Sequence, residues 1–181
     1  MDNQVSSIRG QYEHYGVQGF YERSGKTYRN PHEASIHEVL RHAVERWHPD
    51  LTHVLDLACG SGEVTLALGE FGCRTIDGID PYTGQAYRER TGKIAEGYVF
   101  EQIAAGAIAD RVYSLIVCSF ALHLVAESRL PTLAYQLSLI APTLIVITPH
   151  KRPQLREDWG WSKRDEFVLD RVRARLYQSA R

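Results

Sequence analysis

Sulfur is scarce in this chain: one methionine and three cysteines in 181 residues. Cys59, Cys73 and Cys118 are odd in number, and no two are spaced as a metal or redox pair. That argues against a disulfide framework and a zinc ribbon. A reducing cytoplasm is the expected compartment. Net charge is lacking as well. The 21 Lys/Arg and 22 Asp/Glu leave −1, so the whole chain offers no electrostatic case for nucleic acid. No apolar run approaches the roughly 20 residues of a membrane helix. The opening "MDNQVSSIRGQYEHYG" is too polar for a signal peptide or an anchor. There is no internal repeat, low-complexity segment or domain boundary. Hydrophobic residues at 44% and charged residues at 24% fit one soluble domain over residues 1–181 with a substantial core.

What is present is uneven. From Lys151 onward there are nine Lys/Arg against five Asp/Glu, so the tail is mildly basic and the rest mildly acidic. Residues 1–31 have no clean period but carry Tyr12, Tyr15, Phe20, Tyr21 and Tyr28, which reads as an irregular or partly helical arm. A core over 32–150 follows, then a C-terminal segment over 151–181. Ile36, Val39, Leu40, Ala43, Val44 and Trp47 recur at spacings of three and four, predicting a helix over 34–47. Strands and helices then alternate. Strands are expected at "THVLDLA", "RTIDGID", "EGYVFEQI", "RVYSLIVCSF" and "TLIVITP", with helices over 63–71, 83–92 and 130–140. Such alternation implies an α/β fold, a doubly wound and mostly parallel sheet. "DRVRARLYQSAR" changes the period to two. It is expected to be a C-terminal antiparallel strand with Val172, Ala174 and Leu176 on its one buried face; a helix is the competing reading.

The chemistry begins at "VLDLACGSGEVTLAL" (54–68), where an apolar strand meets two glycines and then a helix. A phosphate loop needs Lys-Ser/Thr after its last glycine, and here Gly62 is followed by Glu63. A dinucleotide loop wants G-x-G-x-x-G, and the third position is Thr65. Asp56 just before the loop opposes a pyrophosphate and suits a ligand whose nearby end is cationic.

"VLDLACGSG" followed by "DGIDP" resembles the S-adenosyl-L-methionine (AdoMet) loop and acidic strand end of the class I methyltransferases. The resemblance covers about residues 50–150. It implies a Rossmann-like sheet, AdoMet as cofactor and S-adenosyl-L-homocysteine (AdoHcy) as product. It implies that Asp56 holds the methionine ammonium, and that Ala58, Cys59, Gly60 and Gly62 lie against methionine and ribose. Asp80 would take both ribose hydroxyls, with Pro81 and Tyr82 beside the adenine. Gln102 and Ile103 would meet the adenine edge and face, and Ser119 and Phe120 would approach the sulfonium. Ala58 departs from the commoner glycine.

Methyl transfer to a hydroxyl or protonated amine also requires a base. His123, just past the fourth strand, is the expected one, unless it merely opens a loop. From the arm, Tyr28 and Arg29 are expected cofactor contacts. Tyr12, Tyr15, Tyr21 and His32, with Trp161 from "WGW", are expected near the acceptor. Packing against the core is the alternative for the arm and for the tryptophan. "HEVLRH" (37–42) is one residue too long for the zinc motif, so no metal is expected. The leading function is methyl transfer to an O or N atom of a small molecule, without a membrane. RNA or protein methylation using the basic tail, and a non-catalytic AdoMet-binding partner subunit, are the alternatives.

Overall fold

The computed structural model describes residues 28–181. The expected acceptor contacts Tyr12, Tyr15 and Tyr21 lie outside the described residues.

The glycine loop sits where chain alternation puts it. Helix α1 (Glu33–Trp47) leads into β1 (Val54–Leu57), the loop and α2 (Glu63–Glu70). Next come β2 (Ile76–Ile79), α3 (Gly84–Thr91), β3 (Ala95–Glu96), α4 (Phe100–Ala104) and β4 (Leu115–Ser119). Helix α5 (Leu130–Ile140), β5 (Thr143–Thr148), β6 (Trp161–Leu169) and β7 (Val172–Ser179) complete the order. The strands form one sheet in the order β3-β2-β1-β4-β5-β7-β6. The first five pair in parallel, while β7 runs antiparallel to both β5 and β6. Strand order reverses between β1 and β4, and such a switch point opens a ligand crevice beyond the carboxyl ends of the strands.

Side chains alternate across the pleat, so each strand feeds two cores. Leu55, Leu57, Ile116 and Cys118 pack with Leu133 and Leu137 of α5 on one face. Val54, Leu115, Val117 and Ile145 pack on the other with Ile36, Val39 and Leu40 of α1 and Val64 and Leu68 of α2. Asp56 lies two residues after Val54 and therefore shares the α2 side. It is fully buried there, the one charge on a four-residue strand.

Three sequence expectations change. "EGYVFEQI" is not one strand: β3 has two residues, and Phe100–Ala104 turns helical. The Gln102 amide oxygen drives this locally by accepting the Val99 N–H at 3.0 Å. Strand β6 was not anticipated. Its run Ser162–Glu166 is polar because it forms the sheet edge, and a bulge between Lys163 and Asp165 breaks its alternation. Strand β7 is antiparallel as expected but is covered on both faces. Val172 and Ala174 are buried, and so are Arg175 and Tyr177 on the opposite side. The Arg175 guanidinium is satisfied there by Glu166 at 2.6 Å and by the Pro153 and Lys151 carbonyls at 2.9 and 2.8 Å.

Candidate functional site

The carboxyl ends of β1, β2 and β4 open on a cavity of about 270 Å³. The β1 loop supplies Asp56, Ala58, Cys59 and Gly60, the β2 end Asp80, Pro81 and Tyr82, and the β4 end Ser119, Phe120 and Ala121. Tyr98, Val99, Phe100, Glu101 and Ile103 close it from the α4 side. Tyr28, Asn30 and Ile36 close it from the N-terminal side, and Glu63 and Val64 from α2.

The loop is held by its own backbone. Ala58, Gly60 and Gly62 have φ of +58°, +55° and +93°, so it makes three left-handed steps between strand and helix. Glycine tolerates these; alanine at 58 carries strain of about 1–2 kcal/mol. Phe120, at φ +54°, is a second strained residue on the rim, and its ring stacks on His32 with centroids 5.1 Å apart. Strained backbone of this kind collects where a site needs it.

Asp56 is the chemical centre. Its Oδ2 accepts the Thr65 N–H at 3.1 Å and the Thr65 hydroxyl at 2.7 Å. Its Oδ1 is buried without a protein partner. Burial pushes its pKa up to about 7; the Glu63 and Asp80 charges add to that, and Thr65 opposes it. Asp80 is anchored differently. Its Oδ1 accepts the Tyr82 and Thr83 N–H groups at 2.9 and 3.1 Å, and its Oδ2 accepts the Gly60 N–H at 3.2 Å. With about two lone-pair sites per oxygen, Oδ2 retains one for a ligand. Burial raises its pKa while these bonds lower it.

Glu63, like Asn30, Tyr98, Phe100 and Glu101, lines the cavity without having been singled out by the residue order. Only 5% of its side chain is exposed, and it receives the Arg90 guanidinium at 3.1 Å, the Asn30 N–H at 3.1 Å and the Ser61 hydroxyl. The signal was present as a carboxylate directly after a glycine loop. Among the described residues the lining therefore holds Asp56, Glu63, Asp80 and Glu101 and no lysine or arginine.

Other expected residues stand elsewhere. Gly62 is not on the cavity; it packs under α3, where an added Cβ would come 2.4 Å from the Thr91 methyl. Gln102 is exposed and turned to Val99. Arg29 bonds Glu33 at 3.1 Å on the surface. Trp161 is fully buried in the core, donates its indole N–H to the Ala134 carbonyl at 2.8 Å and does not line the cavity. His123 follows β4 on the cavity's rim without lining it. Its ring meets that of His150 at 4.3 Å, and burial, aided by the His150 charge, lowers its pKa to about 4. Among the described residues no group of three or more His, Cys, Asp or Glu side chains is placed to hold a metal, and no helix is long and apolar enough to cross a membrane.

The strand order, switch point and acidic strand ends define the class I, Rossmann-like methyltransferase fold. Magnesium protoporphyrin IX methyltransferase from Synechocystis, solved with bound SAM, superposes with a TM-score of 0.62 at 15% identity, over 99% of this chain and 100% of that one. The N-methyltransferase NodS from Bradyrhizobium japonicum, solved with S-adenosyl-L-homocysteine, gives 0.65 at 15% identity, over 90% and 97%. A ribosomal protein L11 methylase from Lactobacillus delbrueckii gives 0.60 at 16%, over 85% and 81%. Likeness at these identities is a likeness of fold. In sequence, the chain belongs to one family with Uncharacterized protein C17A5.05c of Schizosaccharomyces pombe. It is 32% identical to that protein over 232 residues, covering 98% of this chain and 94% of the relative. No family model matches the chain.

Proposed function

We propose that this chain is an AdoMet-dependent methyltransferase acting on an O or N nucleophile of a small molecule. The observation that carries the reading is the buried, partnerless Oδ1 of Asp56 on a cavity whose charged lining, among the described residues, is acidic. A buried carboxylate oxygen left unpaired is costly, and a cationic ligand group would satisfy it. AdoMet has an ammonium, a sulfonium and a ribose diol, and no phosphate. The residues present fit it: Asp56 for the ammonium, the remaining lone pair of Asp80 for a ribose hydroxyl, and Tyr98, Phe100 and Ile103 for the adenine. Pyrophosphate would face four carboxylates and, among the described residues, no lining cation.

AdoMet supplies a methyl group made electrophilic by the sulfonium. The chain's work is to align the acceptor behind that methyl and exclude water. Ser119 and Phe120 stand at the end of β4, where they would flank the transfer, with the His32 ring stacked on Phe120. His123, just past β4 with its imidazole held neutral, is the residue we propose takes the nucleophile's proton. Within the basic tail, Arg173 and Arg175 are both engaged by Glu166 and are not free to meet RNA phosphates.

Calorimetry with AdoMet, AdoHcy and NAD tests the reading. Binding of the first two without NAD is expected. NAD binding without AdoMet would overturn it.

A further inference from the structure

One arginine ties together four segments around the cavity. Arg90 of α3 points one guanidinium nitrogen at the Ser61 hydroxyl (2.8 Å), the Ser61 carbonyl (3.3 Å) and Glu63 (3.1 Å). Its other terminal nitrogen bonds Glu33, the first residue of α1. Glu33 in turn bonds Arg29 at 3.1 Å, and the Asn30 N–H reaches Glu63 at 3.1 Å. The chain of contacts thus runs from α3, through the glycine loop, to the segment that carries Tyr28 and Asn30 onto the cavity. The fit is close: a Cβ added to Gly60 would lie 3.1 Å from the Glu63 carboxylate and 3.4 Å from the Tyr28 ring.

The placement is one a planar guanidinium suits and an ammonium does not. Glu33 and Glu63 lie on different elements, and a rigid fork can bond both at once. Arg90 is also well shielded, with 18% of its side chain exposed, so its bonds are less screened than surface pairs. Without it, Glu63 and Glu33 would lose their shared cation. The Asn30 N–H would still reach Glu63, but without the guanidinium that ties Glu63 to α1.

We propose that Arg90 is a positioning residue of the cofactor site. By bridging Glu63 and Glu33 it holds residues 28–33 against the glycine loop as one wall of the cavity. This role rests on the AdoMet reading above, since the wall is argued to act on that ligand. Arg90 touches no ligand itself and acts through Asn30, Tyr28 and Glu63.

The test combines AdoHcy affinity with amide hydrogen exchange of the ligand-free chain. Arg90→Gln should weaken AdoHcy about tenfold, and the exchange of Asn30 should quicken by a similar factor. Glu33→Gln, which leaves the Arg90–Glu63 pair in place, should move both readouts in the same direction and serves if Arg90→Gln does not fold. The double variant should be little worse than Arg90→Gln alone, because both changes cut one linkage. Arg90→Lys should recover only part of the affinity. Unchanged AdoHcy affinity in folded variants overturns the role, and so does unchanged Asn30 exchange. A wild-type chain that binds neither AdoMet nor AdoHcy overturns the methyltransferase reading and this role with it.

Discussion

Thr65 grips one oxygen of Asp56 with both its backbone N–H and its hydroxyl, at 3.1 and 2.7 Å, and leaves the other oxygen buried without a partner. The carboxylate is thereby aimed and at the same time left unsatisfied. Its pKa of about 7 in the folded chain lies above the ordinary value of about 3.9. The folded state therefore binds more protons than the unfolded one between about pH 4 and 7. The stability this group contributes is fully present below pH 4 and is lost as pH rises through 7. Asp56→Asn removes that loss. The ligand-free variant should gain about 1–3 kcal/mol at pH 8, and the gain should shrink toward pH 4. Melting curves at the two pH values check it. AdoMet binding by the variant should fall by at least tenfold. In the wild type, binding should strengthen from pH 6 to 7.5 as Asp56 ionises.

Asp80 has a double duty that its position in the sequence concealed. It pins Gly60, Tyr82 and Thr83 through three backbone amides and offers the ligand what remains. Asp80→Ala would therefore disturb both loops as well as the ribose contact. Asp80→Asn is the cleaner probe. It should weaken AdoMet about ten- to hundredfold, the worth of one charge-assisted bond of about 1.5–3 kcal/mol. Isothermal titration measures it. Unchanged affinity would move the ribose contact to another residue.

Much of this site was legible in the residue order, because the spacing from Asp56 through the glycines to Asp80 is set by one strand, one loop and one helix. Such local geometry is written in local sequence. What escaped depends on contacts made across the fold. Trp161 looks the same in sequence whether its indole meets a substrate or the Ala134 carbonyl. Strand β6 is an edge strand with a polar run and a bulge, so it lacks the alternation by which β7 was recognised. Gly62 and Gly60 are indistinguishable in a motif, yet only Gly60 faces the cavity; the other makes room for Thr91 and Tyr87.

That difference can be measured. Gly62→Ala adds a Cβ 2.4 Å from the Thr91 methyl at a backbone φ of +93°. Left-handed strain of about 1–2 kcal/mol adds to overpacking of about 1–3 kcal/mol. The melting temperature should fall by several degrees. Gly62→Ala with Thr91→Ser, which removes the clashing methyl, should recover part of the loss. A fall in AdoMet affinity with no loss of stability would return Gly62 to the ligand.

Glu166 makes a prediction far from the site. Its carboxylate bonds the buried Arg175 at 2.6 Å, and it also bonds Arg173 at 2.6 Å. Glu166→Ala leaves a guanidinium in the core without its carboxylate partner, which should cost about 3 kcal/mol. At about 2–4 °C per kcal/mol for a domain of this size, the melting temperature should fall by roughly 6–12 °C. AdoHcy affinity measured below the transition should stay within twofold, since neither residue lines the cavity. Equal stability of variant and wild type would show that the carbonyls alone suffice.

His123 offers a prediction that separates proton transfer from binding. Burial and the His150 ring hold its pKa near 4, so its imidazole is neutral throughout the physiological range. If it accepts the nucleophile's proton, turnover should rise with pH through about 4 and be flat from 6 to 8. An unperturbed histidine would instead give a rise through about 6.5. His123→Ala should reduce turnover about 10²- to 10⁴-fold while leaving AdoMet affinity nearly intact, because the residue does not line the cavity. His150→Gln removes the neighbouring charge and should move the rise to higher pH, still lower than that of a free histidine because burial is the larger cause. Pre-steady-state methyl transfer across this range, with an acceptor identified by screening extracts with labelled AdoMet, reads the wild type and both variants. Loss of affinity with an unmoved profile would make His123 a shaping residue. No effect on either would transfer the proton to His32 or Tyr28, the titratable groups on the N-terminal side of the site.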